Sequence, residues 1–223
     1  MPELVLPLFP LPDVVHFPGT RLPLHIFEPR YREMVAELLA RPAAERRVGM
    51  ILAAPDPATG ATELYEPGCA GRLVEHEPLA DGRSNIVLEG EFRFEIEGLV
   101  EGRPYRRARV RPLAEGVPAL EHERVSRLEG ELARLVAAVA AAAGAAFPID
   151  LGTLAGLGSP GSLAPLANRL AAGLDLPALR RQSLLAEPLL ERAEQVAGIL
   201  RSRLKVLGFL APFRHLADAA RSN

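Results

Sequence analysis

Apolar positions along the chain change their period once. Before about residue 118 they come in short runs or alternate with polar residues; from Glu121 onward they recur three and four residues apart. The first pattern belongs to strands and the second to helices. Leu4-Val-Leu-Pro-Leu-Phe and Arg21-Leu-Pro-Leu-His-Ile-Phe predict two short strands, separated by a Phe17-Pro-Gly-Thr turn. Glu28-Pro29 then reads as a helix start, with proline at the first helical position where its missing N–H costs nothing. Tyr31, Met34, Val35, Leu38 and Leu39 form the apolar stripe of that helix, which should end before Pro42. Val48-Gly-Met-Ile-Leu predicts a buried strand. Asp81-Gly82 between two apolar runs predicts a hairpin, because glycine accepts the positive φ of a tight turn. Phe92, Phe94 and Ile96 alternate with Glu91, Arg93, Glu95 and Glu97, the pattern of a half-buried strand that leaves the charged set in solvent.

A further strand from Tyr105 to Arg111 places Tyr105, Arg107, Arg109 and Arg111 on one face. About six strands and one early helix suggest a small, mostly antiparallel barrel. In the second half, Val125, Leu128, Leu132, Leu135, Val136 and Val139 predict one helix. Leu163–Ala172 and Pro177–Ala186 predict two shorter ones. A long helix after Pro188 carries Leu189, Ala193, Val196, Leu200, Leu204 and Leu207, with Pro212 as its stop. The Gly156–Gly161 cluster reads as a loop.

Composition sharpens this division. Fifteen of the 21 prolines precede residue 119, and proline suits neither ladder nor helix interior. The expectation is a barrel at 1–118 and a helical subdomain at 119–223. The 223 residues, 48% hydrophobic and 24% charged, fit a folded soluble protein. A net charge of −2 argues against a whole-protein electrostatic grip on nucleic acid. The start Met1-Pro-Glu-Leu-Val-Leu-Pro has no basic residue, and prolines break its apolar stretch, so it does not read as a signal peptide. No apolar run reaches membrane-spanning length. A cytoplasmic location, without a membrane partner, is the expectation.

Candidate chemistry is sparse. The single lysine, Lys205, is followed by valine, which excludes a P-loop. The glycines between Gly152 and Gly161 lack dinucleotide-binding spacing. Ser202 and Lys205 match a Ser-x-x-Lys pair, but the required second Lys-Thr-Gly motif has no lysine to supply it. His16, His25, His76, His122 and His215 show no metal-ligand spacing, and Cys69 stands alone as a small packing residue. The sequence therefore offers no catalytic residue, no metal site and no cofactor. A hydrolase assembled only in space would show as a pocket with a perturbed histidine or carboxylate. Tyr105, Arg107, Arg109 and Arg111 form the candidate nucleic-acid face, since a basic strand with an aromatic can follow a phosphate backbone. The competing reading sets Arg107 and Arg109 opposite Glu95 and Glu97 as cross-strand ion pairs.

Leu6-Pro-Leu-Phe-Pro-Leu, Val15-His-Phe-Pro-Gly19 and Leu22-Pro-Leu-His-Ile-Phe-Glu-Pro-Arg-Tyr31 closely resemble the start of the Lon protease N-terminal (substrate-binding) domain. The likeness continues in Gly68-Cys-Ala-Gly-Arg-Leu-Val, in Asp81-Gly82-Arg83 and in Glu89-Gly90-Glu-Phe-Arg93-Phe94. Leu166-Ala-Asn-Arg-Leu and Arg181-Gln-Ser-Leu-Leu185 resemble its helical continuation. The resemblance implies an α+β protein: a PUA-like, mostly antiparallel β-barrel with one early helix, followed by a C-terminal α-helical subdomain. It implies a stand-alone bacterial Lon-domain protein that binds unfolded or extended polypeptide without being an enzyme, in protein quality control. RNA binding through strand 105–111 is the alternative, since PUA-like barrels elsewhere hold RNA. The family-motif positions Gly19, Phe27, Glu28, Pro29, Arg30, Tyr31, Asp81, Gly82, Arg83, Gly90, Arg93 and Phe94 each have a local fold explanation and read as structural.

Overall fold

The structure is a computed structural model that describes residues 4–55, 60, 62–116, 121–144, 147–149 and 162–211. The chain divides into two compact units, Met1–Glu115 with Leu176–Glu187, and Gly116–Asp175 with Pro188–Asn223. Pro118, where composition changes, lies outside the described residues. The helix expected at 177–186 counts with the sheet, so the composition boundary does not separate the two units.

The first unit contains β1 (Val5–Leu11), β2 (Arg21–Ile26), α1 (Pro29–Leu39), β3 (Arg47–Pro55), β4 (Thr62–Pro78), β5 (Ser84–Val100) and β6 (Arg107–Leu113). Sheet order is β2-β5-β4-β3-β1-β6, and β5 also pairs with β6. Only β1 and β3 run parallel; the other pairings are antiparallel. The expected barrel is thus a mixed, curled sheet rather than a regular barrel. β5 is long enough to pair with β2 and β4 through its first part and with β6 through its last, while β2 stays outside that ring of pairings.

α1 begins as its sequence dictates. Glu28 is extended at φ −67° and ψ 135°, Pro29 follows, and the Glu28 carbonyl accepts the N–H groups of Tyr31 and Arg32 at 3.0 Å each. Tyr31, Met34, Val35 and Leu38 are buried against Phe9, Ile26, Val48, Met50, Ile86 and Leu88. A second cluster gathers Leu6, Leu8, Ala70, Phe94, Ala108 and Val110. Phe94 fits because Gly49 and Gly68 lack side chains: a Cβ at Gly68 would lie 2.4 Å from its ring.

The last element of this unit is α4 (Ala178–Ala186), which packs on β4. Gln182 Nε2 donates to the carbonyls of Tyr65 and Pro67 at 3.1 and 3.0 Å, and Arg181 donates to the Asp13 carbonyl. The sheet has an anchor of its own for α4. Arg93 is only 4% exposed, against the solvent position that alternation assigns it. Its Nη1 donates to the carbonyls of Leu185, Ala186 and Glu187 at the C-terminal end of α4, while Nε lies 2.5 Å from Glu115 Oε1. Residues 93 and 94 are both buried because the end of α4 covers one and the sheet interior receives the other.

The second unit contains α2 (His122–Ala143), α3 (Leu163–Gly173) and α5 (Leu189–Leu210), which pack on one another. Leu128, Leu132, Val136 and Val139 of α2 are buried, as are Leu166 and Leu170 of α3 and Ala193, Val196 and Leu200 of α5. The buried carboxylate of Glu129 accepts the Leu163 N–H at 2.8 Å, capping α3 from outside its own sequence. Arg192, fully buried, donates to Asn168 Oδ1. The expected stripe of α5 holds only as far as Leu200. Beyond it Leu204 and Leu207 are half-buried, while Val206, Phe209 and Leu210 are exposed. The expected loop at Gly156–Gly161 and the stop at Pro212 lie outside the described residues.

Candidate functional site

Most sequence-predicted positions do local structural work. Gly19 has φ 74° and donates to the Gly90 carbonyl, and Gly90 donates to the Thr20 carbonyl, both at 2.9 Å. A Cβ at Gly90 would meet the Phe17 carbonyl oxygen at 2.2 Å, so only glycine permits this crossing. Asp81, Gly82 and Arg83 form the β4–β5 turn. Gly82 has φ 78°, and the Asp81 carboxylate accepts the Arg83 backbone N–H, which holds it below the ordinary carboxylate range. Phe27 is exposed, with its ring stacked near that of His25. Arg93 and Phe94 are the anchor and core residues described above.

The candidate nucleic-acid face separates. Tyr105 precedes β6, is 5% exposed, and donates its hydroxyl to Glu37 Oε2 at 2.7 Å. Burial first, and that bond second, push its phenol up to about 12. It is therefore not a stacking platform beside the arginines. Cross-strand pairing does occur, but with a shifted register. A bulge between Ile96 and Gly98 sets Arg111 opposite Glu95, with which it forms an ion pair, and Arg109 opposite Gly98. Arg107 donates to the Glu101 carbonyl.

Two family-motif residues lie elsewhere, in a cleft. Arg30 and Tyr31, from the first turn of α1, line a cavity of about 280 Å³ with Pro10, Pro12, Pro104 and Arg106. A neighbouring cavity of about 350 Å³ continues along residues 99–107 and shares Arg30, Pro104 and Arg106. The Arg30 guanidinium lies over the Tyr31 ring, 4.7 Å from its centroid, and donates through Nε to Glu28 Oε2 at 2.9 Å. The Tyr31 ring packs against Phe9 at 4.2 Å between centroids. Its burial raises the phenol pKa, opposed by the charges of Arg30 and Arg106. Arg106 is fixed through its backbone, whose carbonyl accepts the Leu8 N–H at 2.7 Å, and its side chain is exposed.

Sequence reasoning misses Pro10, Pro12, Pro104 and Arg106 as lining residues. Reading a strand from Tyr105 counts the odd-numbered arginines as one face and passes over Arg106, whereas β6 begins at Arg107. The proline excess was visible, but it pointed to turns, not to a wall.

The described residues hold no cluster of three or more His, Cys, Asp or Glu able to bind a metal. The perturbed histidine and carboxylate, His16 and Asp81, line neither cavity. Ser202 donates to the Gly198 carbonyl within α5, and Lys205 is exposed. Among the described residues no helix is long and apolar enough to cross a membrane.

Residues 5–202 match the family model of the ATP-dependent protease La (LON) substrate-binding domain. Lon protease 2 of Myxococcus xanthus is 27% identical over 206 residues, 91% of this chain and 24% of the relative. Lon protease of Phenylobacterium zucineum is 31% identical over 232 residues, 93% of this chain and 26% of the relative. This chain thus spans about a quarter of the length of these relatives. Among solved structures, the N-terminal domain of Mycobacterium avium complex Lon protease superposes with a TM-score of 0.66 at 16% identity, covering 91% of this chain and 98% of that one. The Lon N-terminal domain protein of Xanthomonas campestris gives 0.57 at 24%, covering 87% and 98%. These two likenesses establish a shared fold, and the family match covers nearly all of the sheet and most of the helices. The chain belongs to the Lon substrate-binding domain family.

Proposed function

We propose that this chain is a non-enzymatic polypeptide-binding module that takes unfolded or extended segments into the cleft beside Arg30 and Tyr31, in the service of protein quality control. One observation carries the reading: a chain of the Lon substrate-binding domain family has an open cleft walled by prolines, a tyrosine and two arginines, with no histidine or carboxylate in its lining. Proline rings offer apolar contact to a chain without fixed structure, and guanidiniums orient its polar groups. Strand addition is a poor mode here, because Pro10 and Pro12 at the cleft and Pro23 on edge strand β2 lack N–H groups. The RNA alternative loses support because Tyr31 and Tyr105 are each 5% exposed.

The test is binding of a permanently unfolded polypeptide, with balanced acidic and basic residues, measured by fluorescence anisotropy. Thr62 lines the cleft and is exposed, so Thr62→Trp should fill it without disturbing the core. Saturable binding that weakens at least about tenfold in this variant is expected, equivalent to about 1.4 kcal/mol. Binding that ignores Thr62→Trp would move the site elsewhere, and no binding at all would defeat the reading.

A further inference from the structure

We infer that the cleft selects extended polypeptide carrying a carboxylate, and that Arg106 receives it. This rests on the polypeptide-binding reading above and names its ligand class. The lining of the cavity that Arg30 shares with Tyr31 contains two guanidiniums and no carboxylate, Glu101 belonging to the neighbouring cavity. Arg30 is already engaged, by the Glu28 carboxylate and by the Tyr31 ring. Elsewhere in the sheet unit Arg21, Arg47, Arg72, Arg83, Arg103 and Arg111 each have an acidic partner. Arg106 has none among the described residues, although its backbone is held in place by β1.

The surrounding chemistry directs what it binds. Pro10, Pro12 and Pro104 have no N–H to donate, so a ligand acceptor entering the cleft finds its charged donors on the arginines, beside the hydroxyls of Thr62 and Tyr31. A guanidinium presents paired N–H groups that match the two oxygens of a carboxylate. A phosphate backbone also carries negative oxygens, but it is gripped by many cations together and by stacked bases. Here Arg111 is neutralised by Glu95, Tyr31 and Tyr105 are buried, and the chain is net negative. The charge complement is local and small, suited to one or two acidic groups on a peptide.

The experiment uses the full chain and three labelled probes: an unstructured proline-containing peptide with glutamates, the same peptide with glutamines, and a single-stranded RNA of similar length. Each is titrated by anisotropy against the native chain, Arg106→Gln, and Arg41→Gln. Arg41 is exposed and does not line the cleft. Urea unfolding confirms that the variants fold alike. The expected result is about tenfold preference for the glutamate peptide, abolished in Arg106→Gln, with Arg41→Gln behaving as native. Equal binding of both peptides, or a preference that survives Arg106→Gln, overturns the carboxylate inference while leaving polypeptide binding intact. Failure of both peptides removes both readings, and tight RNA binding in their place assigns the arginines to nucleic acid.

Discussion

His16 is enclosed in the sheet unit, with Nε2 donating to the Thr20 carbonyl at 3.1 Å and Nδ1 buried without a partner. Burial lowers its pKa, and the bond to Thr20 only partly opposes this. The unfolded chain therefore takes the proton first as pH falls. Stability linked to His16 is fully present above the unfolded value of about 6.5 and is lost as pH drops through the lower folded value. Urea midpoints measured from pH 8 to pH 5 should fall less steeply in His16→Gln than in the native chain; parallel curves would exclude this residue as a source. Arg93 makes a different prediction at the same scale. Arg93→Met removes the guanidinium that donates to three carbonyls and pairs with Glu115. A loss of about 3–5 kcal/mol in urea unfolding is expected, as for other broken buried pairs. Arg93→Lys should recover only part of it, because one ammonium cannot reproduce the guanidinium fork.

At the scale of elements, the helices were legible from their own residues, and their attachments to distant neighbours were not. The start of α1 could be placed to the residue because Glu28, Pro29 and the stripe from Tyr31 to Leu38 are all local. α4 could be recognised as a helix, but its attachment to the sheet depends on Arg93 and on the carbonyls of Tyr65 and Pro67. Nothing within residues 178–186 announces those partners. The β5–β6 register escaped for a related reason: β5 runs on to Val100 and is bulged beside Gly98, so that Glu95 meets Arg111 rather than the expected arginines. The cleft was legible only in part, since Arg30 and Tyr31 stand in a motif whereas Arg106 gains its meaning from where β6 begins. The same dependence on distant partners makes α3 testable. Its first N–H is capped by Glu129 of α2, so Glu129→Ala should cost about 1–2 kcal/mol and speed hydrogen exchange in the first turn of α3. Unchanged exchange there would show that the cap contributes nothing.

For the whole molecule, the governing fact is that neither unit is a continuous stretch of chain. A fragment ending at residue 118 keeps all six strands but loses α4, which buries Leu184 and Leu185. Such a fragment should bind a hydrophobic dye and unfold at lower urea than the parent. A synthetic peptide of residues 176–187, added in trans, should raise its midpoint. A fragment that is fully cooperative without dye binding or any response to the peptide would show that α4 is dispensable to the sheet.

Arg93 and its three carbonyl partners also impose an order on synthesis. The last strand of the sheet leaves the ribosome well before Leu185, Ala186 and Glu187 exist, an interval on the order of several seconds at about 5–20 residues per second. During that time the guanidinium has Glu115 as its available companion and must otherwise keep its water. The nascent sheet would wait with one wall unfinished, and the helices encoded between its two parts must emerge before the wall is closed.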